Sequence, residues 1–167
     1  MFDMRHFMDN VWRQVESGGR RYVYSKDKEW TDHVCEIAGL SWIGGNIVKY
    51  CGEIQNDIKR GKSPQEVNFY KIAAYAFIWW VKHHKQKDTG LKAKSMYFPE
   101  FRELVEGIYE LTPSSDNLER IEWAVRRIIK DDTAEHEFFD IAAQAKRWAS
   151  NCYGQYGFSD TDEGEEV

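Results

Sequence analysis

Between Ile72 and Val81 ten consecutive positions are apolar or aromatic, with Lys71 before them and Lys82, His83 and His84 after. A helix through such a run has no polar face to offer water, so the pattern predicts a core helix wrapped by other helices. Ten residues rise only about 15 Å, half the hydrocarbon thickness of a bilayer, which argues against a membrane span. Just upstream, Ser63 reads as a cap, Pro64 as a first helical residue and Glu66 as the far half of a capping box. The central helix is therefore expected over 64–86.

The flanking segments carry their own periodicity. Phe7, Met8, Val11, Trp12 and Val15 recur at helical spacing over 2–16, and Ser17-Gly18-Gly19 interrupts the pattern. Arg20 to Tyr24 is rich in strand formers but has no second strand to pair with, so an extended connector is expected. Thr31 or Asp32 is placed to cap a short helix through Ala38, closed by Gly39. Ile47, Cys51, Ile54 and Ile58 form one apolar stripe, predicting a helix over 46–60, while Lys49, Glu53 and Asp57 follow another face. Gly61 ends that helix, and so short a link to the central one predicts an antiparallel hairpin.

Beyond His84 the polar, basic stretch KQKDTGLKAKSMYFPE reads as a mobile loop, with Pro99 starting a helix to about Leu111. Asp116 and Glu119 suggest a capping box for the next helix, and a last one is expected from Thr133 to about Asn151. The fold expected is an all-α helical bundle of six or seven helices in one domain over 1–153, with an acidic, disordered tail over 154–167.

Composition narrows the classes. A chain of 167 residues suits a single core, and seven tryptophans make that core ring-rich. The net charge of -5 argues against a dedicated nucleic-acid binder. Cys35, Cys51 and Cys152 have neither disulfide nor zinc spacing, so they read as free thiols and no metal site is expected. With no secretory pattern after Met1, a cytoplasmic location is expected.

Gly45-Asn46-Ile47-Val48-Lys49-Tyr50, followed by Lys71-Ile72-Ala73-Ala74-Tyr75, resembles the core motif of a small phage protein family, DUF3310, written roughly GNxxKYxxR, a variable loop, then DLxKAxxY. The resemblance is limited to about residues 40–80. That family includes a phage nucleotide kinase acting on deoxynucleoside monophosphates without a P-loop. What the resemblance implies is a nucleotide or phosphate site at Gly45, Asn46, Lys49, Tyr50, Lys71 and Tyr75, with Mg²⁺ accompanying the nucleotide. The family's arginine falls on Glu53 and its aspartate on Asn68, and a carboxylate for a guanidinium reverses the local charge. No catalytic residue follows from the motif.

The same residues also have purely structural roles open to them. Gly45 can make a turn, Asn46 can cap, Lys49 can pair with Glu53, and Tyr50 and Tyr75 can pack between helices. The functional alternative sets Asn46 and Lys49 at a helix N-terminus, where unpaired amides favour an anion. A different pattern, Glu119 and Glu122 followed by Glu137 and Asp140, resembles the paired carboxylates of all-α nucleotide pyrophosphohydrolases, although an antiparallel helix pair would hold the two sets about two turns apart. Two functions are therefore carried forward. One is a phage-type protein of nucleotide metabolism, kinase-like or phosphohydrolase-like. The other is a non-catalytic protein that binds and inhibits a host protein, with a homodimer compatible with either.

Overall fold

The computed structural model describes residues 2–21, 23–25, 28–85, 90–131 and 133–155. After a short 3₁₀ turn, Met4–His6, the chain forms α1 (Phe7–Arg21), a two-stranded antiparallel ribbon β1 (Val23–Ser25) and β2 (Lys28–Glu29), α2 (Trp30–Ala38) and α3 (Ser41–Lys59). There follow α4 (Glu66–Trp80), which continues into a π-helical turn Val81–Lys85, then α5 (Leu91–Tyr109), α6 (Asn117–Lys130) and α7 (His136–Gln155). The fold is the all-α bundle that the periodicity predicts. Among the described residues no helix is long and apolar enough to cross a membrane.

The central helix is α4, packed against α1, α3 and α7. Phe77 is fully buried, with the rings of Phe98, Phe101 and Trp80 between 5.1 and 6.2 Å away. Trp80 also meets Phe139, and its indole N–H donates to Glu135 Oε1 at 3.0 Å, which removes the cost of burying that donor. Tyr50 of α3 meets Lys71 of α4 while Gly44 meets Trp79, so the two helices run antiparallel as the short link predicts.

Several boundaries differ from the sequence reading, each for a packing reason. α1 runs through Gly18 and Gly19 to Arg21; a Cβ on Gly19 would lie 3.0 Å from Glu29 Oε1 and 3.3 Å from Leu91, so this glycine admits a close approach rather than ending the helix. The segment expected as a lone connector finds its partner in Lys28–Glu29. α4 begins at Glu66 with Gln65 as its cap residue, and Ser63 is buried with its hydroxyl turned to the Pro64 carbonyl, so no Ser63 cap forms. α5 begins at Leu91 rather than Pro99, which sits inside it; burial of Ala93, Lys94 and Phe98 extends the helix upstream of the proline. Asp116 is the cap residue of α6 but in left-handed conformation, φ 58°, without a side-chain cap bond. Residues 86–89 of the expected loop and 156–167 of the acidic tail lie outside the described residues.

Candidate functional site

Burial along α4 is not uniform. Between Asn68 and Trp80 every residue is buried except Lys71, Tyr75 and Ile78, which are half-buried. Their spacing of four and three places them on one stripe of the helix. The uninterrupted apolar run thus does leave one face short of the core, and that face opens into a cavity of about 340 Å³. Lys71, Tyr75 and Ile78 form its floor, Trp42 and Tyr50 of α3 one side, the last turns of α1 another, and the start of α2 with Glu29 and Trp30 the roof.

The walls are aromatic and the charge is concentrated. Tyr50 and Tyr75 stack with centroids 6.0 Å apart and planes at 19°, and Trp42 meets Tyr75 edge-on at 6.4 Å. The Lys71 Nζ lies 5.1 Å from the Tyr50 centroid and the Lys49 Nζ 5.4 Å from it, both within cation–π range. Among the described residues neither lysine has an ion-pair partner, so the Lys49–Glu53 pair open to them on helical spacing does not form. Among the described residues Lys71 is the only lysine or arginine lining the cavity, and Glu29 the only carboxylate. Glu29 is engaged elsewhere: its carboxylate accepts from Lys94 Nζ of α5, whose side chain is 1% exposed. The field inside the cavity is accordingly that of one uncompensated ammonium beside π faces.

The roof is held in an unusual way. Glu29 is the N-cap residue of α2 and Asp32 its third residue; together they form a capping box, with the Glu29 N–H donating to Asp32 Oδ2 at 3.1 Å. Asp32 in turn pairs with buried Lys82, from the π-helical turn after α4. Both capping carboxylates are therefore neutralised by buried lysines of the surrounding helices.

Of the residues carried over from the family motif, Tyr50, Lys71 and Tyr75 line the cavity, and Lys49 reaches the Tyr50 ring from outside it. Gly45 and Asn46 do not line it. α3 begins five residues earlier than the stripe suggests, at Ser41, so Gly44 and Gly45 lie inside the helix and their amides are not available to an anion. Gly44 serves packing: a Cβ there would lie 2.8 Å from the Trp79 ring and 3.0 Å from Val125. Asn46 is not a cap; its amide donates to the Trp42 carbonyl at 3.2 Å, one turn back. Glu29, Lys82 and Lys94, which shape the roof, carry no signal in the sequence beyond the position of Lys82 at the end of an aromatic run.

A second, open groove of about 950 Å³ runs between α6, the start of α7 and the α5–α6 turn. Glu119, Glu122 and Asp140 all line it, but Glu137 turns away to Arg127 Nε at 2.8 Å and Asp140 pairs with His136 at 3.1 Å. Burial raises the Asp140 carboxyl above the ordinary range, opposed by His136 and reinforced by Glu137. Among the described residues no group of three or more His, Cys, Asp or Glu side chains is placed to hold a metal ion. Leu111 and Trp123, 86% and 56% exposed, give the groove an apolar rim. It is larger than the aromatic cavity, and its arginines and carboxylates are mixed, so no single sign of charge dominates it. Among the described residues no disulfide joins Cys35, Cys51 or Cys152, and burial raises the thiol of Cys51 far above its usual range and that of Cys35 less so.

No protein-family model, no curated protein and no solved structure matches this chain.

Proposed function

We propose that the protein binds a mononucleotide in the aromatic cavity, with the base against Trp42 and Tyr75 and the phosphate at Lys71. The observation that carries this reading is the Lys71 ammonium, which has no carboxylate partner among the described residues and lines a cavity together with three aromatic rings. Stacking supplies about 1–3 kcal/mol per base in aromatic sites, and a half-buried lysine is a point charge suited to phosphate. A volume of about 340 Å³ is at the lower end of the ~300–1,000 Å³ typical of small-molecule sites, which favours one nucleotide over a dinucleotide or a strand. The resemblance of 40–80 to the phage family supports the same ligand class. Mg²⁺, a hard cation, would enter on the phosphate oxygens of the nucleotide. The reading is of binding; phosphoryl transfer or hydrolysis would need a further group, and Glu53, exposed where the family has arginine, does not supply one.

A thermal-shift screen of deoxynucleoside mono- and triphosphates with Mg²⁺ tests it. A ligand at 100 times its dissociation constant stabilises by about 2.7 kcal/mol, and Lys71→Ala removes that shift. No shift with any nucleotide, or a shift that survives Lys71→Ala, contradicts the proposal.

The exposed Leu111 and Trp123 beside the 950 Å³ groove favour a second reading, a non-catalytic protein that binds a host protein there. On that reading nucleotides have no effect, and Leu111→Asp abolishes co-purification of the host protein while leaving the fold intact.

A further inference from the structure

We propose that α2 is a lid over the aromatic cavity, latched shut by the two buried pairs Lys82–Asp32 and Lys94–Glu29 and swinging about Gly39; the proposal rests on reading that cavity as the ligand site.

α2 contributes no buried side chain to the core, and Trp30 and Ile37 on it are 48% and 76% exposed. Its apolar contacts are partial: Val34 and Cys35 are half-buried, and Cys35 packs against the edge of the core. The two buried ion pairs both involve the first turn of α2, the part over the cavity. Lys94 belongs to α5 and Lys82 to the turn after α4, so the cationic halves of the latch sit on the bundle and the anionic halves on the lid. The other end of α2 is closed by Gly39 at φ +85°, a conformation that leaves the peptide free of Cβ constraints, with the N–H of Gly39 bonded to the Cys35 carbonyl at 2.8 Å. Glu29 also belongs to β2 and pairs with Val23 of β1, so the latched end of α2 moves together with the ribbon and Gly39 is the joint at the far end.

The choice of charges over apolar packing matters. Taking an ammonium and a carboxylate out of water costs nearly as much as their attraction returns, so separating such a pair into solvent is close to balanced when both halves become hydrated. An apolar roof recovers nothing on opening. A lid latched by ion pairs thus reaches its open state as a minor population, roughly 0.1–10%, which is enough for ligand entry. The shut state narrows the access of water to half-buried Lys71, and a lower dielectric there strengthens its grip on an anion.

The test needs no nucleotide. Ala74 lines the cavity and is 5% exposed, while Cys51 and Cys152 are fully buried. In a full-length Cys35→Ser background, Ala74→Cys is labelled with a soluble aromatic disulfide reagent, and amide hydrogen exchange is followed in parallel. Labelling is expected to be slow with the latch intact and at least tenfold faster with Lys94→Met or Asp32→Asn, with α2 amides exchanging faster while α4 and α7 keep their protection. If Lys94→Met unfolds the chain, Asp32→Asn carries the same readings. Labelling rates unchanged in the folded variants, or faster labelling only when α4 and α7 lose protection with α2, overturn the lid. Because nucleotide is absent, failure here leaves the nucleotide reading standing, and failure of the thermal-shift screen leaves the lid standing.

Discussion

The Nζ of Lys71 lies 5.1 Å from the centroid of the Tyr50 ring, across the interface between α4 and α3. A lysine that leans on a π face without a carboxylate keeps its charge available to a ligand, whereas an ion pair would have spent it. Its removal should therefore separate binding from stability. Lys71→Ala is expected to lose about 0.5–1 kcal/mol of stability through the cation–π contact, read by urea denaturation, and to lose the nucleotide-induced shift in melting temperature entirely. Lys49→Ala, on the exposed side of the same ring, should leave most of that shift in place.

Gly44 and Gly45 are adjacent in α3 and should respond oppositely to the same substitution. Gly44→Ala drives a methyl to 2.8 Å from the Trp79 ring and 3.0 Å from Val125, and is expected to destabilise by about 1–3 kcal/mol. Gly45→Ala meets nothing within 4 Å and should stabilise by about 0.4–1 kcal/mol, because a helix-interior glycine is replaced in open space. Chemical denaturation of the two variants side by side is the measurement.

Phe77 sits where α4 and α5 meet, ringed by Phe98, Phe101 and Trp80. Phe77→Ala should cost about 3–5 kcal/mol, a large part of the roughly 5–15 kcal/mol that holds a domain of this size. A midpoint shift in urea without a change of slope would fit a folded protein with a cavity in place of the ring.

Asp9 of α1 accepts from Arg102 Nη1 of α5 at 2.6 Å, and this guanidinium, with His6 adding less, holds the Asp9 carboxyl below its ordinary value of 3.8. A carboxyl lowered by folding contributes stability that is present above its unfolded value and lost as the pH falls through the folded one. The pair is over a third exposed at Asp9, so its contribution is less than about 1 kcal/mol. Asp9→Asn is thus expected to lower stability slightly at neutral pH, and the difference from the parent should close below pH 3.8 in thermal melts.

The sequence carried the helices and their order because each has a stripe long enough to read, and Ile47, Cys51 and Ile54 are buried on the face that their spacing predicts. It misled wherever a local signal was outweighed by packing between distant segments. Gly18 and Gly19 look like a stop, but Glu29 and Leu91 need the room at Gly19. Pro99 looks like a start, but the turns before it are held by buried Ala93 and Lys94. The candidate site was half legible. Tyr50, Lys71 and Tyr75 stood out by their resemblance to the phage motif, and the fold brings them together. Its roof was not, since the pairs that hold Glu29 and Asp32 join residues 65 and 50 positions apart and neither lysine differs in type from a solvated one.

Ala74 and Ile78 give the central claim its most direct reporter, because their methyl groups line the cavity. Titration of methyl-labelled protein with a deoxynucleoside monophosphate, followed by NMR, should shift the Ala74 and Ile78 signals saturably while Ala124, in the α6 groove, stays still. Unmoved signals from Ala74 and Ile78 at saturating nucleotide, or shifts confined to Ala124, would contradict a ligand site on the open stripe of α4.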